Sequence, residues 1–299
     1  MGKLSDFLKP TELTRIKNLQ VMAKQMVEGV ITGMHRSPHK GFSVEFAQHR
    51  QYAHGDEIRR LDWKVFGKTD RLYVREYEEE TNLRATVLLD MSGSMGYGRK
   101  DGLTKFEYAV RLTACFAYLL LQQRDSIGLV TFDTKMRRHI PPRSSTAHLR
   151  VLLSELAKSK TGGESDPGRV FHNLVPQLKR RGLVIIMSDA FGDVKQLVSS
   201  LAHFRSARHE VLFLHILDPD EVEFPFEHWT RFDSLEQQDV FRMVDPASFR
   251  EAYLAKVAEF REELKQGCAR HRVDLEPILT NQPFTDTLAR FLARRQSVR

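Results

Sequence analysis

The residues of this chain best suited to chemistry are a carboxylate and two hydroxyls that follow an apolar segment. Asp90, Ser92 and Ser94 alternate along the chain directly after the strand-like residues 85–89. Oxygen groups at this spacing on one loop can converge on a hard cation, and Mg²⁺ takes oxygen ligands in a near-octahedral shell. We therefore expect a site for Mg²⁺ (or Mn²⁺) at this loop.

Two further loops carry oxygen ligands that can complete such a site. Asp189 follows a second apolar strand pattern at 183–187, and Ser165 lies in the glycine-containing loop 162–168 ahead of a helical pattern. Carboxyl ends of neighbouring parallel strands open into one crevice. If the two strands are neighbours, Asp90 and Asp189 face that crevice together. The candidate metal ligands are Asp90, Ser92, Ser94, Ser165 and Asp189.

The elements that must position these loops alternate between strand and helix. Strand patterns cover residues 85–89, 126–132, 183–187 and 211–217, and helix patterns cover 106–121, 147–156, 170–178 and 194–204. Strands that are apolar on both faces belong to buried parallel sheets, whose connections require helical crossovers. The pattern predicts an α/β domain over residues 85–217, with a doubly wound, mostly parallel sheet flanked by helices.

The first 84 residues have a different pattern of apolar and polar side chains. Apolar residues at helical spacing predict an amphipathic helix over 11–31, which Gly33 would end. Residues 41–46 and 71–77 alternate apolar and polar side chains, as β-strands do. We therefore predict an N-terminal helix and a small β-rich module over residues 1–84.

The last segment, residues 218–299, is predicted to be a C-terminal extension whose helices pack on the same unit. Its first part, 218–239, is acidic and is interpreted as loop or edge structure that forms a solvated connection. A helix that begins after Asp245 follows, then a strand at 273–275 and a helix at 284–293.

Composition restricts the class of protein. The chain has 299 residues and a formal net charge of +7. The basic excess is spread over residues 85–217, which favours a generic basic surface over a nucleic-acid groove. The longest apolar run, 114–121, is far shorter than the ~18 residues that span a bilayer. Cys115 and Cys268 lie in apolar helical patterns, as reduced cytosolic thiols do. We expect a cytoplasmic protein with no membrane partner.

The candidate ligands resemble a known metal site. Asp90-x-Ser92-x-Ser94, a hydroxyl in the glycine loop, and Asp189 are similar to the metal-ion-dependent adhesion site of von Willebrand factor A domains. In that family the middle-loop ligand is usually Thr after Gly, whereas here Ser165 follows Glu164. The resemblance implies a von Willebrand factor A-like fold and an ion site that keeps the hydroxyl.

Motifs in the first 84 residues extend the resemblance. They are Gly41-x-Ser43-x-Glu45-Phe46, Arg50-x-Tyr52-x-x-Gly55-Asp56-x-x-Arg59-x-Leu61-Asp62-Trp63-Lys64 and Val74-Arg75-Glu76-Tyr77. These motifs resemble the bacterial domain-of-unknown-function 58 family, whose members join such a module to an A-like domain. The likeness covers most of residues 33–295.

The resemblance implies a function through partners. Members of the family are commonly associated with MoxR-type AAA+ ATPases and are thought to act with them as chaperones or assembly factors for other protein complexes. We accordingly expect a non-enzymatic, metal-ion-dependent protein–protein interaction module, with a MoxR-type ATPase and an unknown client protein as its partners. No catalytic residue is predicted.

Two other functions stay open at this point. A haloacid-dehalogenase-like phosphatase would use Asp90 as its nucleophile, with Asp189 and Asp193 after a later strand. That chemistry needs a second Asp two residues after the nucleophile to protonate the leaving group, and Ser92 stands there. The second alternative, a basic nucleic-acid-binding protein, would use the positive charge of residues 85–217.

Overall fold

A computed structural model describes residues 10–35, 49–52, 63–69, 71–75, 83–236 and 239–297. The chain divides into two compact units. The larger one contains the residues up to Val30 and those from Leu83 onward, and the smaller one spans Ile31–Asn82. The first part of the N-terminal helix therefore groups with the α/β unit, because Ala23, Val27 and Val30 are buried there.

Helices and strands alternate through most of the described chain. The helices are α1 (Pro10–His35), α2 (Trp63–Thr69), α3 (Lys105–Gln122), α4 (Thr146–Lys158), α5 (Pro167–Leu174), α6 (Val194–Ser206), α7 (Pro219–Glu223), α8 (Pro246–Arg270) and α9 (Phe284–Ser297). The strands are β1 (His49–Gln51), β2 (Tyr73–Arg75), β3 (Arg84–Asp90), β4 (Ser126–Phe132), β5 (Met136–Arg143), β6 (Leu183–Ser188), β7 (Glu210–Leu217), β8 (Thr230–Asp233), β9 (Phe241–Val244) and β10 (Asp274–Leu279).

The centre of the larger unit is a six-stranded sheet. Its strand order is β10-β7-β6-β3-β4-β5, and all neighbours are parallel except β4 and β5. The strand order reverses at β3, and helices connect the parallel strands, as in doubly wound folds. The predicted fold class is thus confirmed. β3 and β6 are neighbours, with Leu89 opposite Met187, so the carboxyl ends of both strands lie side by side.

The core explains why these segments form the sheet. Strands β3, β4, β6 and β7 are buried along nearly their whole length, as expected of apolar runs covered on both faces. On one face, the rings of Phe132, Phe171 and Phe204 pack edge to face with centroids 5.3 and 5.5 Å apart. Each such pair contributes about 0.5–1.5 kcal/mol beyond its area burial. This cluster fixes α5 and α6 against the sheet.

Three elements differ from the predictions for the α/β segment. The antiparallel edge strand β5 was not predicted, because it is mostly exposed and contains Pro141 and Pro142, which are typical of loops. Helix α5 ends at Leu174, and a 3₁₀ turn follows because Pro176 cannot continue the helix. Strand β10 joins the central sheet although it lies far beyond residue 217.

Outside residues 85–217, helix α1 and the larger unit also differ from the predictions. Helix α1 continues past Gly33 to His35, so the prediction that Gly33 ends it is wrong. Gly33 has no positive φ, and glycine permits that conformation without imposing it. The segment predicted as an acidic loop folds into α7 and the two-stranded hairpin β8–β9. The buried side chains of Leu288, Phe291 and Leu292 hold α9 in this unit.

The smaller unit is described in part. β1 and β2 pair antiparallel, with His49 opposite Arg75, which confirms strand structure within the predicted segment 71–77. Residues 41–46 and 53–62, which carry much of the sequence resemblance, lie outside the described residues. Trp63 begins α2 and is 59% exposed. Within the described ranges, no helix combines the length and apolarity needed to cross a membrane.

Candidate functional site

Asp90 lies at the centre of the predicted ligand cluster, where β3 ends. Its side chain is buried. Its Oδ1 accepts a hydrogen bond from the Ser92 backbone N–H at 2.9 Å, and its Oδ2 accepts one from Ser188 Oγ at 2.6 Å. Ser188 ends β6, so this bond ties together the ends of the neighbouring strands β3 and β6. The Oγ atoms of Ser92 and Ser94 are 3.1 Å apart.

Ser165 reaches the same cluster from the loop before α5. Its Oγ lies 3.5 Å from Asp90 Oδ2. The Gly93 N–H donates to the Gly163 carbonyl at 2.8 Å, which binds the two loops together. Gly163 has a φ of +80°, a conformation that residues with a side chain rarely adopt. The glycine is therefore part of what brings Ser165 to Asp90.

Asp189 enters the site from the residue after β6. Its Oδ1 accepts from the Phe191 backbone N–H at 3.1 Å, and the Ser94 hydroxyl lies within hydrogen-bond reach of its carboxylate. His215 on β7 lies with Nε2 3.0 Å from the Asp189 carbonyl oxygen. Burial lowers the pKa of His215 to about 4, so the ring is neutral. The structure therefore brings together all five predicted ligands: Asp90, Ser92, Ser94, Ser165 and Asp189.

Lys105 is a member of the site that sequence reasoning missed. It is the first residue of α3, is 1% exposed, and places its Nζ 2.7 Å from Asp189 Oδ2 and 2.5 Å from Glu221 Oε1. A cation in the first turn opposes the helix dipole. That unfavourable position is a weak sequence signal that Lys105 is held by negative charge elsewhere.

The two buried carboxylates differ in their electrostatic surroundings. Burial and the nearby Asp189 raise the pKa of Asp90 to about 7. Burial also acts to raise the pKa of Asp189, but the ammonium of Lys105 outweighs it and holds that pKa below its usual range. Within the described residues, the partners of Asp90 are hydroxyls and an amide. Its charged form therefore lacks a cationic partner.

A third carboxylate comes from the segment predicted to be a solvated connection. Glu236 follows β8, and the Ser94 hydroxyl is also within hydrogen-bond reach of its carboxylate. Its Oε1 is buried and has no hydrogen-bond partner. Burial and Asp189 raise the pKa of Glu236. The acidic segment thus contributes to the site through Glu221 and Glu236, in contrast to the predicted solvated connection.

The chemistry of this cluster suits a hard cation. Its side chains supply carboxylate and hydroxyl oxygens, the donors that Mg²⁺ prefers. Among the described residues, no group of three or more His, Cys, Asp or Glu side chains is arranged to hold a metal by itself, so a cation at this cluster would depend on the serine hydroxyls as well. An oxygen-ligated divalent cation would also compensate the charge of Asp90.

Asp193, one of the two later acidic residues that the phosphatase alternative would use, has another role. Asp193 is exposed and accepts hydrogen bonds from the backbone N–H groups of Lys195 and Gln196. It is therefore the N-cap of α6. No observation at Asp193 favours phosphoryl chemistry.

Comparison with known families agrees with the sequence resemblance. Residues 48–263 match the model of the family described as "Protein of unknown function DUF58". The chain belongs to this family. A similar protein from Mycobacterium tuberculosis (strain H37Rv), the uncharacterised protein Rv1480, is 27% identical over 306 residues, which cover 97% of this DUF58 chain and 92% of the relative. The uncharacterised Bacillus subtilis protein YeaD is 26% identical over 119 residues, 40% of this chain and 27% of YeaD.

Solved structures with similarity to this DUF58 protein include one described as a VWA domain. The alignment with the conserved hypothetical protein BatB from Bacteroides thetaiotaomicron covers 72% of this chain and 99% of the BatB chain, with 15% identity and a TM-score of 0.45. The SpRpn10 VWA domain covers 69% of this chain and 94% of its own, with 14% identity and a TM-score of 0.42.

Proposed function

We propose that this DUF58 protein is a non-enzymatic interaction module that binds a partner protein through a divalent cation. Asp90, Ser92, Ser94, Ser165 and Asp189 would hold Mg²⁺ (or Mn²⁺) directly or through water. The observation that carries the proposal is the convergence of these oxygen ligands around Asp90, a buried carboxylate without a cationic partner in the described chain. When bound, the ion supplies a coordination position that a carboxylate of the partner can fill.

The residues of this chain have separate tasks in that arrangement. Ser188 and the Ser92 N–H orient the Asp90 carboxylate, and Lys105 balances the charge of Asp189. The hydrogen bond between Gly93 and Gly163 joins the Asp90–Ser94 loop to the loop that carries Ser165. The hydroxyls are therefore positioned by backbone contacts before an ion binds. Such preorganisation lowers the entropic cost of binding.

The partner that the family resemblance suggests is a MoxR-type AAA+ ATPase. In this proposal the DUF58 chain acts in the cytoplasm as an adaptor between that ATPase and a client complex. The ATPase supplies the nucleotide chemistry, and the cation site supplies the contact. Two observations support the assignment of a MoxR-type ATPase as the partner: membership of the DUF58 family and the cluster of oxygen ligands.

Isothermal titration calorimetry with Mg²⁺ tests the site. The wild type is expected to bind one ion, and Asp90→Ala is expected to lose binding. Asp101→Ala is the matched control, because Asp101 is an exposed aspartate eleven positions further along, outside the cluster, and should bind like the wild type. Equal binding by the wild type and Asp90→Ala would refute the site.

A pull-down with a MoxR-type AAA+ ATPase tests the partner. Capture is expected in Mg²⁺ and is expected to be lost with EDTA or in Asp90→Ala. Capture that is insensitive to both would leave an interaction module without the cation mechanism. Turnover of a phosphomonoester that Asp90→Asn abolishes would instead favour the phosphatase alternative.

A further inference from the structure

Leu235 and Glu236, in the loop after β8, lie directly against Gly93 of the candidate metal site. Asp233 pairs with Phe241, and the Ser234 N–H donates to the Val240 carbonyl at 2.8 Å, so Leu235 and Glu236 belong to the connecting loop. A Cβ atom on Gly93 would stand 2.0 Å from the Leu235 carbonyl oxygen. The loop therefore approaches the Asp90–Ser94 segment so closely that only glycine fits at position 93.

Glu236 projects from this loop toward the predicted ligands. Ser94 and Asp189 both act on its carboxyl group, and its Oε1 is buried without a hydrogen-bond partner. A buried, unpartnered carboxylate oxygen costs free energy unless something compensates it. Asp189 and Glu164 each repel the charged form of Glu236 more strongly than Lys105 attracts it. A positive charge between these carboxylates would relieve the repulsion.

We propose that Glu236 is an internal ligand of the cation site and fills the position that a partner's carboxylate would otherwise take. The inference rests on the proposed function. In this state the site is satisfied by its own chain. A partner protein binds the ion only when one of its carboxylates displaces Glu236. The partner's carboxylate must therefore compete with the carboxylate of Glu236.

The hairpin that carries Glu236 suits such a displacement. β8 and β9 pair only with each other and form a separate two-stranded sheet among the described strands. An isolated hairpin is marginally stable by itself. Within β8, the ring of Phe232 packs against Phe224 and Phe226 with centroids 6.0 and 5.1 Å apart. This contact anchors the strand, so Glu236, four residues further along, would leave the ion without displacement of β8.

Variants of Glu236 in the full chain test the inference with metal alone. Mg²⁺ affinity is measured by calorimetry, and the water molecules on bound Mn²⁺ are counted by proton relaxation. Glu236→Ala and the near-isosteric Glu236→Gln are expected to weaken Mg²⁺ binding about tenfold, because one charged ligand is lost. Water should replace that ligand and raise the relaxivity. Acetate, as a carboxylate probe, should lower the relaxivity of Glu236→Ala at concentrations that leave the wild type unchanged.

Glu227→Ala is the control, since Glu227 is exposed in the same acidic segment and should behave like the wild type. Wild-type affinity and relaxivity in both Glu236 variants would overturn the internal-ligand inference and leave the cation site intact. Absence of Mg²⁺ binding by the wild type would overturn the proposed function and this inference together. A circular dichroism melt of each variant separates loss of a ligand from loss of the fold.

Discussion

Lys105 Nζ lies 2.7 Å from Asp189 Oδ2 in an ion pair whose two side chains are both almost completely buried. The pair joins the first turn of α3 to the residue after β6, across 84 positions of sequence. Glu221 shares the same ammonium at 2.5 Å. The ammonium of Lys105 therefore compensates two carboxylates, Asp189 and Glu221. The neighbouring carboxylate of Asp90 has no such cationic partner among the described residues. This division of charge underlies the predictions that follow.

Lys105→Met is expected to destabilise the fold strongly. The substitution keeps the volume but leaves Asp189 buried without its cation, and breaking a buried pair costs about 3–5 kcal/mol. Urea unfolding at pH 7 in EDTA measures the loss. Asp189→Asn should relieve part of it, so the free energies of the single and double variants are expected to be non-additive. Strict additivity would show that the pair is not coupled.

Asp90→Asn is expected to remove a pH dependence of stability in the metal-free protein. The pKa of Asp90 is raised to about 7 by burial and by Asp189, above its ordinary value of 3.8. Between those values the native state holds a proton that the unfolded state releases, so the free energy of unfolding falls as pH rises toward 7. Urea midpoints from pH 5 to 8 in EDTA compare wild type and variant. Parallel curves would contradict the assignment.

Gly93→Ala is expected to disturb the contact between the β8–β9 hairpin and the metal loop. The added Cβ would meet the Leu235 carbonyl oxygen at 2.0 Å, and steric overpacking of this kind costs about 1–3 kcal/mol. Gly29→Ala in α1 is the opposite case, because no atom lies within 4 Å and a stabilisation of about 0.5–1 kcal/mol is expected. Thermal melts compare the two variants. Equal melting temperatures would disprove the close approach.

Phe171→Ala is expected to cost about 3–5 kcal/mol, because it opens a cavity in the ring cluster that fixes α5. Helix α5 begins at Pro167, two residues after Ser165, so this packing also supports the third loop of the site. Val151→Ala on the exposed side of α4 is the comparison and should cost little. Equilibrium urea unfolding decides between them; a similar loss in both variants would refute the core role of Phe171.

The sequence by itself determined the central architecture and the five candidate ligands. Buried parallel strands have continuous apolar sequences. The strands at 85–89 and 183–187 could therefore be recognised without knowledge of their neighbours. Asp90, Ser92 and Ser94 share one loop, and their convergence follows from short-range geometry. Because β3 and β6 are parallel neighbours, Asp189, which follows β6, lies close to these three residues.

Only the tertiary structure decided which other charges face these ligands. Lys105 and Glu236 are far from Asp189 in sequence, and ordinary helix and loop patterns surround both of them. Their roles depend on the start of α3 and the loop after β8 each approaching the loops that follow β3 and β6, which no local period encodes. β10 entered the central sheet for the same reason: strand pairing is a long-range contact. Local residue types thus specified the candidate ligands, and three-dimensional packing specified which other charged groups surround them.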